Sequence, residues 1–139
     1  MMNTNRHEIS PDEEYANVYY YFIKSLKILA QEADSQCKSM DYFNVAWELK
    51  DDVSRGATAV LNLHSGHLSE EQTKIILRTL EDLASIPKEV LNVANVRMEQ
   101  IRAMKHPAWD IIRTHAKDIL RLLGPETKRI EAILYDANT

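Results

Sequence analysis

The sequence predicts an all-α protein, an antiparallel bundle of four main helices followed by a short C-terminal helix. Three observations predict it. Apolar residues recur at alternating steps of three and four over long windows, the spacing that lines one face of a helix. Glycine and proline are scarce, three and four in 139 residues, and all but Gly56 fall at or between the ends of those windows. No window shows sustained strand alternation bounded by turn residues.

Residues 1–9 are polar and read as a disordered tail, with a single helical domain over 10–139. Ser10-Pro11-Asp12-Glu13 opens the first helix: serine at the N-cap, proline at the first helical position and glutamate at the third. Tyr15, Tyr19, Phe22, Leu26, Leu29 and Ala33 form its inward stripe, carrying the helix to about Cys37. A second helix is expected from Ser39 or Asp41, with Phe43, Ala46, Val53, Ala57, Val60 and His64 inward. Gly56 inside it marks a close helix crossing or a bend.

The stretch LNLHSGHLSEEQ, residues 61–72, holds two of the five histidines, spaced as H-x-x-H. Gly66 can adopt the left-handed conformation that ends a helix, and Ser69-Glu70-Glu71-Gln72 is a capping box that starts the next. The stretch is therefore read as a joint. A zinc site needs three or four ligands, and no third ligand lies in the loop, so no metal is assigned.

The third helix is expected from 70 to about 85, with Ile76, Leu80 and Leu83 inward. Pro87 either opens a fourth helix, 88 to about 104, or kinks one helix that joins the third and fourth. The first half of that segment is apolar on most sides, which places it centrally or at an oligomer contact. After His106-Pro107 a fifth helix runs to Leu123 with Trp109, Ile112, Ala116, Ile119 and Leu123 inward. Gly124-Pro125 ends it, and a short helix follows over about 126–135.

Composition bounds function. A lone cysteine, Cys37, rules out an internal disulfide and points to a reducing, cytosolic setting. No apolar run approaches the length of a membrane span. The net charge of −4 is uneven: residues 1–96 carry a net of −6, and residues 97–129 a net of +4. An acidic chain is a poor match for nucleic acid, whose binding rests on phosphate contacts. The alternative of nucleic-acid or phospholigand binding would use Arg113, Lys117 and Arg121, read as a basic stripe opposite the apolar face of the fifth helix.

No Gly-rich phosphate loop, nucleophile elbow or Glu-x-x-His pair is present, so no enzyme activity and no cofactor are assigned. The other alternative, a small helical-bundle enzyme, would have to work without a recognisable catalytic motif. Tyr19-Tyr20-Tyr21-Phe22 is the most unusual local run. Successive helical residues point about 100° apart, so these four rings cannot all face one core. Tyr42 and Trp47 flank Phe43 in the same way at the start of the next helix. Exposed aromatic rings are frequent anchors of protein interfaces. Tyr20, Tyr21, Tyr42 and Trp47 are therefore the candidate partner-binding residues of a self-associating protein-interaction module that works by binding another protein.

Overall fold

The computed structural model describes residues 10–137, and the tail expected over residues 1–9 lies outside them. Eight helices make up the described residues, with no strand among them: α1 Pro11–Leu29, α2 Ala33–Ser39, α3 Val45–Leu63, α4 Glu70–Ala84, α5 Lys88–Leu91, α6 Arg97–Met104, α7 Ala108–Leu122 and α8 Gly124–Ala137. The all-α expectation holds. The four-helix layout is finer than the chain obeys, because two expected helices are each divided and the last is longer than expected.

The first division falls after Leu29. Gln36 is wholly buried and donates its side-chain amide to the Leu29 carbonyl at 2.9 Å, so the chain turns and restarts as α2. Cys37 lies buried in that second helix. Burial raises its thiol above the ordinary range, which makes it a poor nucleophile. The second division falls within 88–104. Only four residues of α5 are helical, and residues 92–96 are irregular before α6 begins. The segment is not sealed on all sides: Val90 is buried, whereas Val96 and Met98 are exposed. Nor does Pro87 kink one continuous helix. Its own backbone is extended, and α4 has already ended at Ala84 with the Ser85 hydroxyl turned back onto the Asp82 carbonyl.

The inward stripe of α1 is as expected, with Tyr15, Tyr19, Phe22, Leu26 and Leu29 all sealed. Gly56 is the reason α3 fits so closely against it. A Cβ there would stand 3.1 Å from both Cα and Cβ of Phe22, tighter than ordinary packing allows. Trp109 anchors α7, fully buried, with its indole N–H donated to the Ala103 carbonyl at 3.1 Å. Burying a ring of that size contributes several kcal/mol, about 25 cal/mol for each Å² of apolar surface removed from water.

The 61–72 stretch is the joint that its residues predict. Ser65 and Gly66 have φ of 49° and 82°. His64 caps the turn, its Nδ1 accepting the N–H of Gly66 at 3.1 Å, and the Ser69/Gln72 capping box forms in full. His67 stacks on Tyr15. Among the described residues no three His, Cys, Asp or Glu side chains gather as metal ligands.

Candidate protein-binding surfaces

Besides Tyr135, which is exposed on α8, aromatic rings are exposed on two surfaces, and these are built differently. The first is the elbow between α2 and α3. Asp41, Tyr42 and Asn44 have φ of 55°, 55° and 47°, a left-handed conformation that disfavours residues with a Cβ. For Tyr42 the cost is about 1–2 kcal/mol, whereas Asp41 and Asn44 belong to the residue types that adopt this conformation most readily; such angles persist where surrounding contacts impose them. At Asp41 and Tyr42 the contacts are those that close α2, the Asp41 N–H donating to the Lys38 carbonyl at 3.2 Å and the Tyr42 N–H to the Cys37 carbonyl at 2.8 Å; at Asn44 they come from Asn95, just before α6, and Gln100 within it. The Asn44 N–H donates to Asn95 Oδ1 at 2.8 Å, and the Val45 N–H to Gln100 Oε1 at 2.7 Å. Gln100 is itself buried and donates to the Ala94 carbonyl at 3.0 Å. These two amides do for the first turn of α3 what an N-cap side chain of its own would do, for Asn44 makes no such cap.

Around this clasp stand large apolar side chains facing solvent: Phe43, Trp47, Val96 and Met98, from 44% to 71% exposed. Phe43 is thus a correction to the inward stripe expected of it. The left-handed residues on either side rotate it out of the helical phase that its spacing implied. Tyr42 is half-buried; its hydroxyl accepts from Arg97 Nη2 at 2.9 Å, and the Arg97 guanidinium lies 4.2 Å from its ring centroid.

The second surface is the outward ridge of α1. Tyr20 and Tyr21 are exposed and meet edge to face, with centroids 5.2 Å apart. They rest on regular helix, clasped to α8 by a charged buried cluster. The Tyr15 hydroxyl donates to Glu126 at 2.8 Å, and Arg129 grips the same carboxylate with two bonds of 2.7 and 2.8 Å. Burial pushes the Glu126 carboxyl up, but the hydrogen bonds from Arg129 and Tyr15 outweigh it and hold the group below the ordinary range. Burial also raises the Tyr19 hydroxyl to about 12, and that hydroxyl bonds Thr127 at 2.8 Å.

Of the expected basic stripe, Lys117 and Arg121 are exposed, but Arg113 is not part of it. Arg113 sits four residues after Trp109 and three before Ala116, so it falls within the apolar stripe rather than opposite it. Its guanidinium is buried and donates to the Gln31 carbonyl at 3.1 Å, to Gln36 Oε1 at 2.8 Å and to the Met104 carbonyl. It ties α7 to the turn before α2, to α2 itself and to the end of α6. Arg121 is engaged with Asp118 at 3.4 Å.

One further feature has chemical potential. His115 Nδ1 stands 2.7 Å from Asp82 Oδ2, and His115 lines an open cleft of about 580 Å³ between α4 and α7. Glu71, Lys74, Arg78 and Asp118 also line the cleft. The bond orients the imidazole, but the lining mixes both signs of charge and selects no ligand class. No family model, no curated protein and no solved structure matches the chain. No helix of the described residues is long and apolar enough to cross a membrane.

Proposed function

We propose that this chain is a non-enzymatic protein-interaction module that self-associates through its elbow. The observation that carries the reading is the exposure of Phe43, Trp47, Val96 and Met98 around an elbow whose residues Asp41, Tyr42 and Asn44 have left-handed angles. Exposed apolar side chains scattered singly are ordinary, whereas a group of them on one edge marks an interaction site. Strain that neighbouring side chains must impose is characteristic of functional segments. The rim carries both signs, Asp41 and Glu48 on one segment and Arg97 on the other. A two-fold contact whose axis passes between these segments sets each sign against its opposite in the second copy. A cytosolic setting fits the single buried thiol of Cys37.

The test is hydrodynamic and optical. Sedimentation across a dilution series should show a reversible dimer. Trp109 is sealed and Trp47 is 44% exposed, so acrylamide quenching reports mainly on Trp47 and should fall as protein concentration rises. Trp47→Ser with Met98→Ser should weaken the dimer about tenfold or more, the loss expected when anchors of an interface are cut away. An unchanged dissociation constant in that double variant would sink the proposal.

A further inference from the structure

The ridge of α1 is flanked by two apolar hollows. One, of about 120 Å³, lies between α1 and α8 and is walled by Tyr20, Ile23, Ile130 and Leu134. The other, of about 460 Å³, lies between α1 and α3 and is walled by Val18, Tyr21, Ile28 and Ala59, with Gly56 on the α3 side. Lys24 borders both hollows and Lys27 borders the first. Both lysines are exposed, and among the described residues neither forms an ion pair.

Charge around the hollows decides what can fill them. The carboxylates at their edges are Glu131 and Asp52, and Asp52 is already engaged with Arg55 at 3.7 Å. Glu131 is thus set against two unpaired lysines, on a chain whose net charge is −4. A second copy packed symmetrically on this ridge would bring together four of these lysines and only two Glu131 carboxylates, and the excess of like charge opposes association. A phosphate surface would use the lysines but leave the hollows unfilled. A helix with apolar side chains at i, i+3 or i+4 and i+7 fills hollows of this kind, and carboxylates on its flanks meet the lysines.

We infer that the α1 ridge docks an acidic amphipathic helix of another protein, its apolar side chains entering the two hollows and its carboxylates pairing with Lys24 and Lys27. The inference uses the interaction-module reading but not the elbow, so the two can fail separately.

The probe is a fluorescein-labelled 18-residue designed helix with Leu on one face and Glu on the flanks. Its counterparts are the same helix with Lys in place of Glu, and a scrambled sequence. Anisotropy titrations with the full chain should show binding of the acidic helix alone, weakening as salt rises. Lys24→Glu with Lys27→Glu should reduce that affinity about tenfold or more, as reversed charge pairs at an interface do. Lys117→Glu with Arg121→Glu, matched for charge but on α7, should leave it unchanged. The proposal is overturned if the acidic helix does not bind, if the basic helix binds as well, or if both double variants behave alike. Two further results would also overturn it: binding to anionic phospholipid vesicles in place of the helix, or a change in the dimer dissociation constant on reversing the α1 charges, which would give the ridge to lipid or to a second copy. Sedimentation of the Trp47→Ser, Met98→Ser chain with the acidic helix separates the two readings, because a monomer that still binds the helix retains the ridge and loses only the elbow.

Discussion

The elbow and the α1 ridge both hold aromatic rings in water, yet only one of them has an unfavourable backbone to maintain. On the ridge, exposure is a geometric consequence: four consecutive rings on a helix cannot share one face, so Tyr20 and Tyr21 emerge when Tyr19 and Phe22 are buried. At the elbow, Phe43 emerges because Asp41, Tyr42 and Asn44 take left-handed angles. The clasps beneath differ too. Neutral amides of Asn95 and Gln100 hold the elbow, whereas an ionised cluster of Glu126 and Arg129 with Tyr15 holds α8 to α1. The lesson is that exposed aromatics are not one class of feature. Those set out on an imposed backbone are the stronger sign of function, because simple relaxation would withdraw them.

The largest test of this contrast is Gly56→Val. It drives a branched side chain into Phe22 and parts α1 from α3, and should destabilise the chain by about 3 kcal/mol in urea unfolding. Tyr20→Ser with Tyr21→Ser should move the same midpoint by only about 0.5 kcal/mol per site. A large loss from the tyrosine pair would show that the ridge rings are structural.

Gln100→Ala strikes the elbow next. The buried Val45 N–H loses its partner, at about 2 kcal/mol. The α3 amide protection should fall at Val45 before it falls at Val53 or Val60, as read by hydrogen exchange. Equal protection along α3 would show that the clasp does not order the elbow.

Glu126→Gln comes third, at about 1.5 kcal/mol near neutral pH, because a charge-assisted pair is weakened. Its pH signature separates the regions. The folded-state carboxyl lies below its unfolded value, so its stabilisation is complete above about pH 4.3 and is lost as pH falls through the folded value. Thermal unfolding should weaken across that window in the native chain and less so in the Glu126→Gln chain. Protection of the Val45 amide, held by a group that does not titrate, should follow global stability only. An identical acid limb in both chains would remove Glu126 from the account.

The smallest effect is Asp41→Gly. Relief of the left-handed strain slightly exceeds the added freedom of glycine in the unfolded chain, a gain of about 0.5 kcal/mol. Stability should rise while elbow-mediated association falls or holds; a clear loss of stability would mean that the Asp41 conformation is not strained.

Much of this molecule was legible in local pattern. The start of α1 with its buried stripe, the joint at 64–69, and the inward face of α7 all depend on residues within a turn or two of one another. Capping and three-four periodicity are physics of that range. Arg113 was also legible in principle, since its spacing from Trp109 and Ala116 puts it on the apolar face. Its charge favours the solvent side, and a buried arginine becomes reasonable only once the carbonyls of Gln31 and Met104 are there to receive it.

Residue order alone therefore determined that the chain is helical, which faces of α1 and α7 turn inward, and that surplus tyrosines must emerge from α1. Tertiary structure decided the rest. It divided the second half of 88–104 from the first, turned Phe43 outward beside Val96 and Met98, and brought Gln100 to the start of α3 from 55 positions along the chain. Local bonds to Lys38 and Cys37 close α2 at the elbow, but the bonds from Asn95 and Gln100 that start α3 span 51 and 55 positions, and no pattern confined to neighbouring residues can encode them.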